Sequence, residues 1–417
     1  MNALSGDTSL FAEVDDKYGV YMLKELYELH NQGHKIKVPT LIDEHGNKGW
    51  IEVDNVVSFG KQPLKRITLA TTRLYVEATE GAIIPAFGHH LFSGRKENIN
   101  LKFKLVKELK VREDPRHNDT LLLATRIPLN LSESDQADFD FGFALGFFLA
   151  EGNFKYRKHK NTKHSLAKLK ALARKKGMTL QKYLEFMTNI ERACLSVGQS
   201  DFERGYIDIL RMRFKFSKPY KAKHSNAYTL CTSDLSFFRM IKDYIDGFDS
   251  YTKHLKNEAY NRSWKFLEGI LYGFLAGDGS YYKKLDLFRV NMTANYKLRS
   301  DLIFLSKALG YDAHLHNGSF EKSPSSNNYY YHLHLNIFKT YHRRTALGLV
   351  RERIKKIEDV DEKEAFNLIL KPLYPENDKR YVFNHLFFTA YGFLVSDAVK
   401  TLDRSVLSYS LLAPVLG

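Results

Sequence analysis

The chain has 417 residues, 44% of them hydrophobic, with a formal net charge of +15 and a pI near 9.4. That length holds two or three domains with cores of their own, and the excess positive charge points to a polyanion, above all nucleic acid, as partner. No apolar run is long enough to span a bilayer, the opening MNALSGDTS does not read as a signal peptide, and two cysteines, Cys194 and Cys231, are too few for a disulfide framework or a Cys-rich zinc site. These features fit an intracellular, reducing compartment, and no membrane partner is expected.

Residues 1 to about 130 read as β-rich, with one helix around Tyr18 to Gln32. The short Val-, Ile-, Leu- and Thr-rich runs Trp50 to Ser58, Lys65 to Ala70, Arg73 to Thr79 and Thr120 to Ile127 are the strand candidates. Ser132 to Asp140, acidic and Ser-rich, reads as a linker or helix cap. Ser165 to Met187 reads as helix, Gly177 turn, helix. Its first helix carries Lys168, Lys170, Arg174, Lys175 and Lys176, which suits either a phosphate-gripping insert or a solvated helical hairpin. Ala227 to Cys231 reads as a strand and Leu235 to Ile245 as a helix. Further on come a strand (Leu285 to Ala294), an amphipathic helix (Tyr296 to Leu309) ending at Gly310, and a strand (Tyr311 to His316). A loop (Gly318 to Asn328), a strand (Tyr329 to Phe338) and a helix (about Thr340 to Lys356) follow.

Two segments say nearly the same thing. LGFFLAEG, Leu145 to Gly152, and LYGFLAGDG, Leu271 to Gly279, are apolar, Gly-containing helical runs ending in a carboxylate and a glycine. A helix apolar on nearly all sides must be buried, and glycines let another backbone come close. Packing the two helices together brings Glu151 and Asp278 side by side, as a divalent-metal site needs. The plainer reading is two core helices ending in ordinary turns. A second copy, and the polar, aromatic, strand-like stretches after both, favour the first.

The doubled motif resembles the LAGLIDADG homing endonucleases. The resemblance implies an α+β fold with a pseudo-symmetric core of two αββαββα halves, in which Glu151 and Asp278, with Gly152 and Gly279 beside them, hold two or three Mg²⁺ ions. Oxygen ligands without a Cys or His cluster also favour Mg²⁺ over Zn²⁺. It implies a monomer with internal pseudo-two-fold symmetry that cuts both strands of a long, asymmetric double-stranded DNA site. Basic residues near the metals would assist; Lys339 is the candidate in one half and Lys223 in the other, although both also read as phosphate-contacting or exposed lysines. The DNA-facing candidates are Lys155, Arg157, Lys168, Arg174, Lys175, Tyr281, Lys283, Lys284 and Arg289. A non-cleaving DNA-binding protein on the same scaffold is the alternative.

The two ends resemble the blocks of an intein, the protein-splicing Hint domain. ALSGDTSLF puts Ala3 where a nucleophilic Cys or Ser stands. RLYVEATEGA puts Thr79 and Ala82 at the Thr and His of the Thr-x-x-His motif, and an alternative alignment uses His89. NHLFFTAYGFLVSD offers His385 as the late-block His and Asp397 at the terminal Asn. A methyl group cannot accept an acyl shift, so the resemblance implies a splicing scaffold without its chemistry. The expected division is Hint-like 1–130, endonuclease 135–375 inserted within an all-β Hint-like domain, Hint-like 376–398, and a tail or extein remnant 399–417. A splicing element with a decayed endonuclease is a third reading, and an unrelated small β domain is the plain one.

Overall fold

The computed structural model describes residues 2–43, 45–87, 98–133, 135–156, 166–175, 177, 179–180, 191–221, 227–232, 234–247, 250–291, 295–322, 329–338, 349–378, 380–397 and 409–412. Its contacts divide the chain into two compact units. One comprises Met1–Glu133, Lys256–Leu267 and Gly279–Gly417; the other comprises Ser134–Leu255 and Glu268–Asp278.

The first unit is built on an eleven-stranded sheet whose strands come from both ends of the chain. Its spine is an antiparallel ribbon of two 22-residue strands, Lys48–Leu69 and Leu349–Leu370. The expected strands Trp50 to Ser58 and Lys65 to Ala70 are parts of the first of these. The helix expected from about Thr340 to Lys356 is a strand from Leu349 onward, and residues 339–348 lie outside the described residues. Arg, Glu and Lys favour helix locally. However, burial over Leu349–Ile354 follows the strand period, with Glu352 and Ile354 inside and Arg351 and Arg353 partly out. Its two partner strands, the 22-residue Lys48–Leu69 and the five-residue Thr120–Ala124, then decide the outcome. The first helix also starts later than expected, at Leu23, because Lys17–Met22 pairs with Ser9–Val14. Within the expected tail, Tyr409–Leu412 forms a strand against Asn98–Leu105.

The closing segment packs into this unit through Val382, Phe383, Leu386, Phe388 and Leu394, which share a core with Leu41, Phe103, Leu122 and Ala124. A second, four-stranded sheet of the unit runs Gly279–Tyr282, Leu287–Asn291, Tyr329–Phe338, Asp312–Lys322, and Asp312–Lys322 extends into the expected loop. Its helix, Tyr296–Ala308, is tied to the N-terminal strands by aromatic stacking. Phe11 lies 4.0 Å from Phe304 between ring centroids, and Tyr260 packs edge-on to both while donating a 2.7 Å hydrogen bond to Asp301. The stretch 279–417 belongs to the same compact unit as the β-rich N-terminal part.

The second unit holds the first motif helix, Gln136–Glu151, started by Asp135, whose carboxylate accepts from the Asp138 N–H at 3.2 Å. Its four-stranded sheet runs Gly152–Tyr156, Glu191–Val197, Tyr228–Thr232, Tyr220–Lys221. Both four-stranded sheets thus share one strand order: first, second, fourth, third. Cys194 and Cys231, cross-strand neighbours with Cα atoms 4.1 Å apart, are disulfide-bonded, a pairing that runs against the reducing compartment expected from the cysteine count. Among the described residues no helix is long and apolar enough to cross a membrane.

Candidate functional site

The two motif helices meet through glycine. The second, Trp264–Asp278, places Gly269, Gly273 and Gly277 four residues apart, on one face. A methyl group on Gly273 would lie 2.1 Å from the Phe143 carbonyl oxygen, and one on Gly269 would lie 2.2 Å from that of Phe139. From the other side, a methyl on Gly146 would lie 2.0 Å from the Ile270 carbonyl oxygen. Only hydrogen fits at these crossings, so the backbones touch.

That close crossing carries down to the acids. A methyl on Gly277 would lie 2.6 Å from Ala150 Cβ and 3.1 Å from Glu151 Cγ, so the last turn of one helix abuts the last turn of the other. Glu151 is half-buried, and its pKa is pushed up to about 7 by burial, then by the negative charges of Asp278 and Asp201. Asp278 keeps an open face to solvent, yet the protein crowding its carboxyl raises its pKa too. Two carboxylates held where neither readily carries its charge favour a cation between them.

A third group, absent from the sequence expectations, completes the site. Lys253 is 2% exposed, and its ammonium donates to the carbonyl oxygens of Phe148 at 3.1 Å and Gly152 at 2.6 Å. It therefore caps the C-terminal end of the first motif helix, where the helix dipole is negative. It also counters the upward pKa shifts of both Glu151 and Asp278. Lys253 is delivered by a short hairpin, Ile245–Asp246 with His254–Leu255. Its turn includes Gly247 at φ +79°, where a methyl would lie 2.2 Å from the Thr252 carbonyl oxygen. Among the described residues no group of three or more acid, histidine or cysteine side chains gathers into a ready metal cage. The all-oxygen donors Glu151 and Asp278 fit a hard divalent ion that keeps other ligands from water or substrate.

Of the other expected site residues, Lys223, Lys339, Arg157 and His89 lie outside the described residues. Lys155 lies on the strand Gly152–Tyr156, paired with Arg192, and Lys168 lies on the helix Leu166–Lys175. Arg174 and Lys175 are exposed at the end of that helix. Tyr281, Lys283 and Lys284 are exposed on the hairpin after Gly279. Arg289 is engaged within its own sheet, donating to Asn336 at 2.9 Å and lying over the Tyr282 ring at 4.7 Å.

The termini form a separate constellation in the first unit. Asn2 donates from its side chain to the Asp397 carbonyl oxygen across 395 residues of sequence. Ala3 is fully buried, and its N–H donates to Thr79 Oγ1 at 3.2 Å. The Thr79 N–H donates to the Ala3 carbonyl at 2.9 Å, and the Ala82 N–H donates to that of Thr79 at 2.9 Å. His385 Nδ1 lies 3.3 Å from Asp397 Oδ2, and Asn367 bridges the Asn2 and Ser396 carbonyls at 3.0 and 3.2 Å.

No family model matches this chain, and no curated protein sequence does. Among solved structures, mesophilic variants of the homing endonuclease I-DmoI align with 49% of this chain and 91% of their own, at 13% identity and a TM-score of 0.29. I-DmoI in complex with DNA and Mn aligns with 48% of this chain and 89% of its own, at 14% identity and a TM-score of 0.28. The Pab PolII intein aligns with 32% of this chain and 71% of its own, at 21% identity and a TM-score of 0.22.

Proposed function

We propose that this protein is a divalent-metal-dependent DNA endonuclease of the double-motif homing type, joined to a Hint-like scaffold that no longer splices. The observation that carries the reading is the glycine-mediated crossing that sets Glu151 and Asp278 together at the feet of two helices, each running on into the edge strand of a four-stranded sheet. In this reading the two sheets are the DNA-reading halves of one chain, and the target is a long asymmetric duplex site. The net charge of +15 suits that polyanion.

Glu151 and Asp278 would hold Mg²⁺, and the bound ions would supply the activated water and neutralise the leaving oxygen. Lys253 fixes the Phe148 and Gly152 carbonyls and so the turn from helix to strand, and its charge eases ionisation of both acids. The open face of Asp278 leaves room for a phosphate. Glu151 in place of Asp lengthens one arm, which predicts unequal cutting of the two strands. At the termini, Ala3 offers no nucleophile and Ala82 no imidazole, so the constellation around Thr79, His385 and Asp397 is read as scaffold.

The test is cleavage of a duplex carrying the rejoined insertion-site sequence, with Mg²⁺ or Mn²⁺. Wild type should cut both strands. Glu151→Gln and Asp278→Asn should bind the duplex and leave it whole. Binding without cleavage by the wild-type protein under all metal conditions would select the non-cleaving alternative.

A further inference from the structure

A cavity of about 320 Å³ lies within the first unit, and its lining includes none of Ala3, Thr79, His385 and Asp397. Arg299 and Lys363 line it, with Thr8, Ser9, Tyr75 and Tyr391 supplying hydroxyl groups. Asp7 and Glu77 also line it, and cations from outside the lining help to neutralise them. Glu77 is held by Arg66 at 2.6 Å and by Lys363 at 2.9 Å, and Asp7 is held by Lys24 at 2.9 Å and Lys363 at 3.5 Å. Those two acids are saturated by three cations, and Arg299 adds a fourth. Its Nε is shielded from solvent and meets no acceptor among the described residues. A buried guanidinium N–H without an acceptor is rare in folded proteins unless something else supplies one.

We propose that this cavity binds a phosphate group, with the Arg299 guanidinium as anchor. The planar fork of arginine matches two phosphate oxygens, and the surrounding hydroxyls can donate to the rest, which a carboxylate with only two oxygens would use less fully. The volume admits a phosphate with a nucleoside-sized appendage. The phosphate belongs either to a small molecule or to a DNA backbone, and the two sources separate in one experiment.

The full chain is titrated with inorganic phosphate and with a nucleoside monophosphate at matched ionic strength, read by calorimetry and thermal shift. Saturable binding is expected, weakened about ten-fold or more by Arg299→Gln and partly restored by Arg299→Lys. Thr8→Val, which leaves the helix untouched, should also weaken it and covers the case in which Arg299→Gln does not fold. The titration is repeated with duplex present. If the source is DNA, duplex competes with phosphate, and Arg299→Gln lowers the salt slope of duplex binding by about one. If the source is a small molecule, phosphate binds equally well with duplex bound. A response that never saturates, or one equal in wild type, Arg299→Gln and Thr8→Val, overturns the proposal. Either result leaves the cleavage test on Glu151 and Asp278 unaffected.

Discussion

The Lys253 ammonium lies 2.6 Å from the carbonyl oxygen of Gly152, the residue at which the first motif helix becomes a strand. Replacing it by methionine keeps the stem and deletes the charge. The Gly152 and Phe148 carbonyls then lose the ammonium, although Phe148 keeps the Gly152 N–H, and the loss should cost about 1–3 kcal/mol of stability. Single-turnover cleavage by Lys253→Met should fall about 10²–10³-fold, as when a preorganised donor is removed from an active site. A variant that cuts at the wild-type rate would reduce Lys253 to a helix cap.

The raised pKa of Glu151 fixes a pH dependence with a definite sign. Its carboxyl titrates near 4.5 in a free chain and near 7 in the folded protein. The folded state holds the proton more tightly, so without metal this group's contribution to stability is full below 4.5 and is lost as pH rises through 7. Metal needs the ionised form, so divalent affinity should rise with pH over the same window, with proton release on binding. Calorimetry in buffers of different ionisation enthalpy measures that release. Glu151→Gln should remove it, and a proton release unchanged in that variant would assign it elsewhere.

Gly273→Val places a branched side chain where a single methyl already lies 2.1 Å from a backbone oxygen. The helices must part, and we expect a loss of about 1–3 kcal/mol or more, seen as a lowered thermal midpoint. Cleavage should fall further than stability, because the same crossing sets the spacing of the acids.

Duplex affinity should fall steeply with salt, by a slope of about 0.9 for each phosphate neutralised. Neutralising Lys168, Arg174 and Lys175 together should reduce the slope by about two to three and weaken all sequences alike. A loss confined to one target sequence would instead make this helix a reader of bases.

The wild-type chain should stay intact at its terminal junctions under all conditions. The triple replacement Ala3→Cys, Ala82→His and Asp397→Asn should restore junction cleavage, visible by mass spectrometry. An inert triple variant would show that the scaffold around Thr79 and His385 has drifted too far to support the chemistry.

The motif helices were legible because their signal is local: an all-round apolar run, glycines at regular spacing, and an acid before glycine. Lys253 was not, because it stands in an ordinary polar stretch, SYTKHLK, and acquires its role from a turn at Gly247 and the end of a helix about 100 residues earlier. Residues 349–356 read as helix from sequence because they favour helix one at a time, and only their strand partners reveal the period of two. Arg299 carries no sequence signal, since an arginine on an amphipathic helix is ordinary until its neighbours are seen to be engaged.

The long ribbon also sets an order of events during synthesis. Lys48–Leu69 leaves the ribosome some 280 residues before the strand that pairs along its length. At about 5–20 residues per second that is a wait on the order of tens of seconds. Through that interval a 22-residue strand lacks its main neighbour, a template for pairing with another nascent chain. Such long-range pairing is slow to form, so the yield of folded protein should depend on translation rate and chaperone supply more than its final stability would indicate.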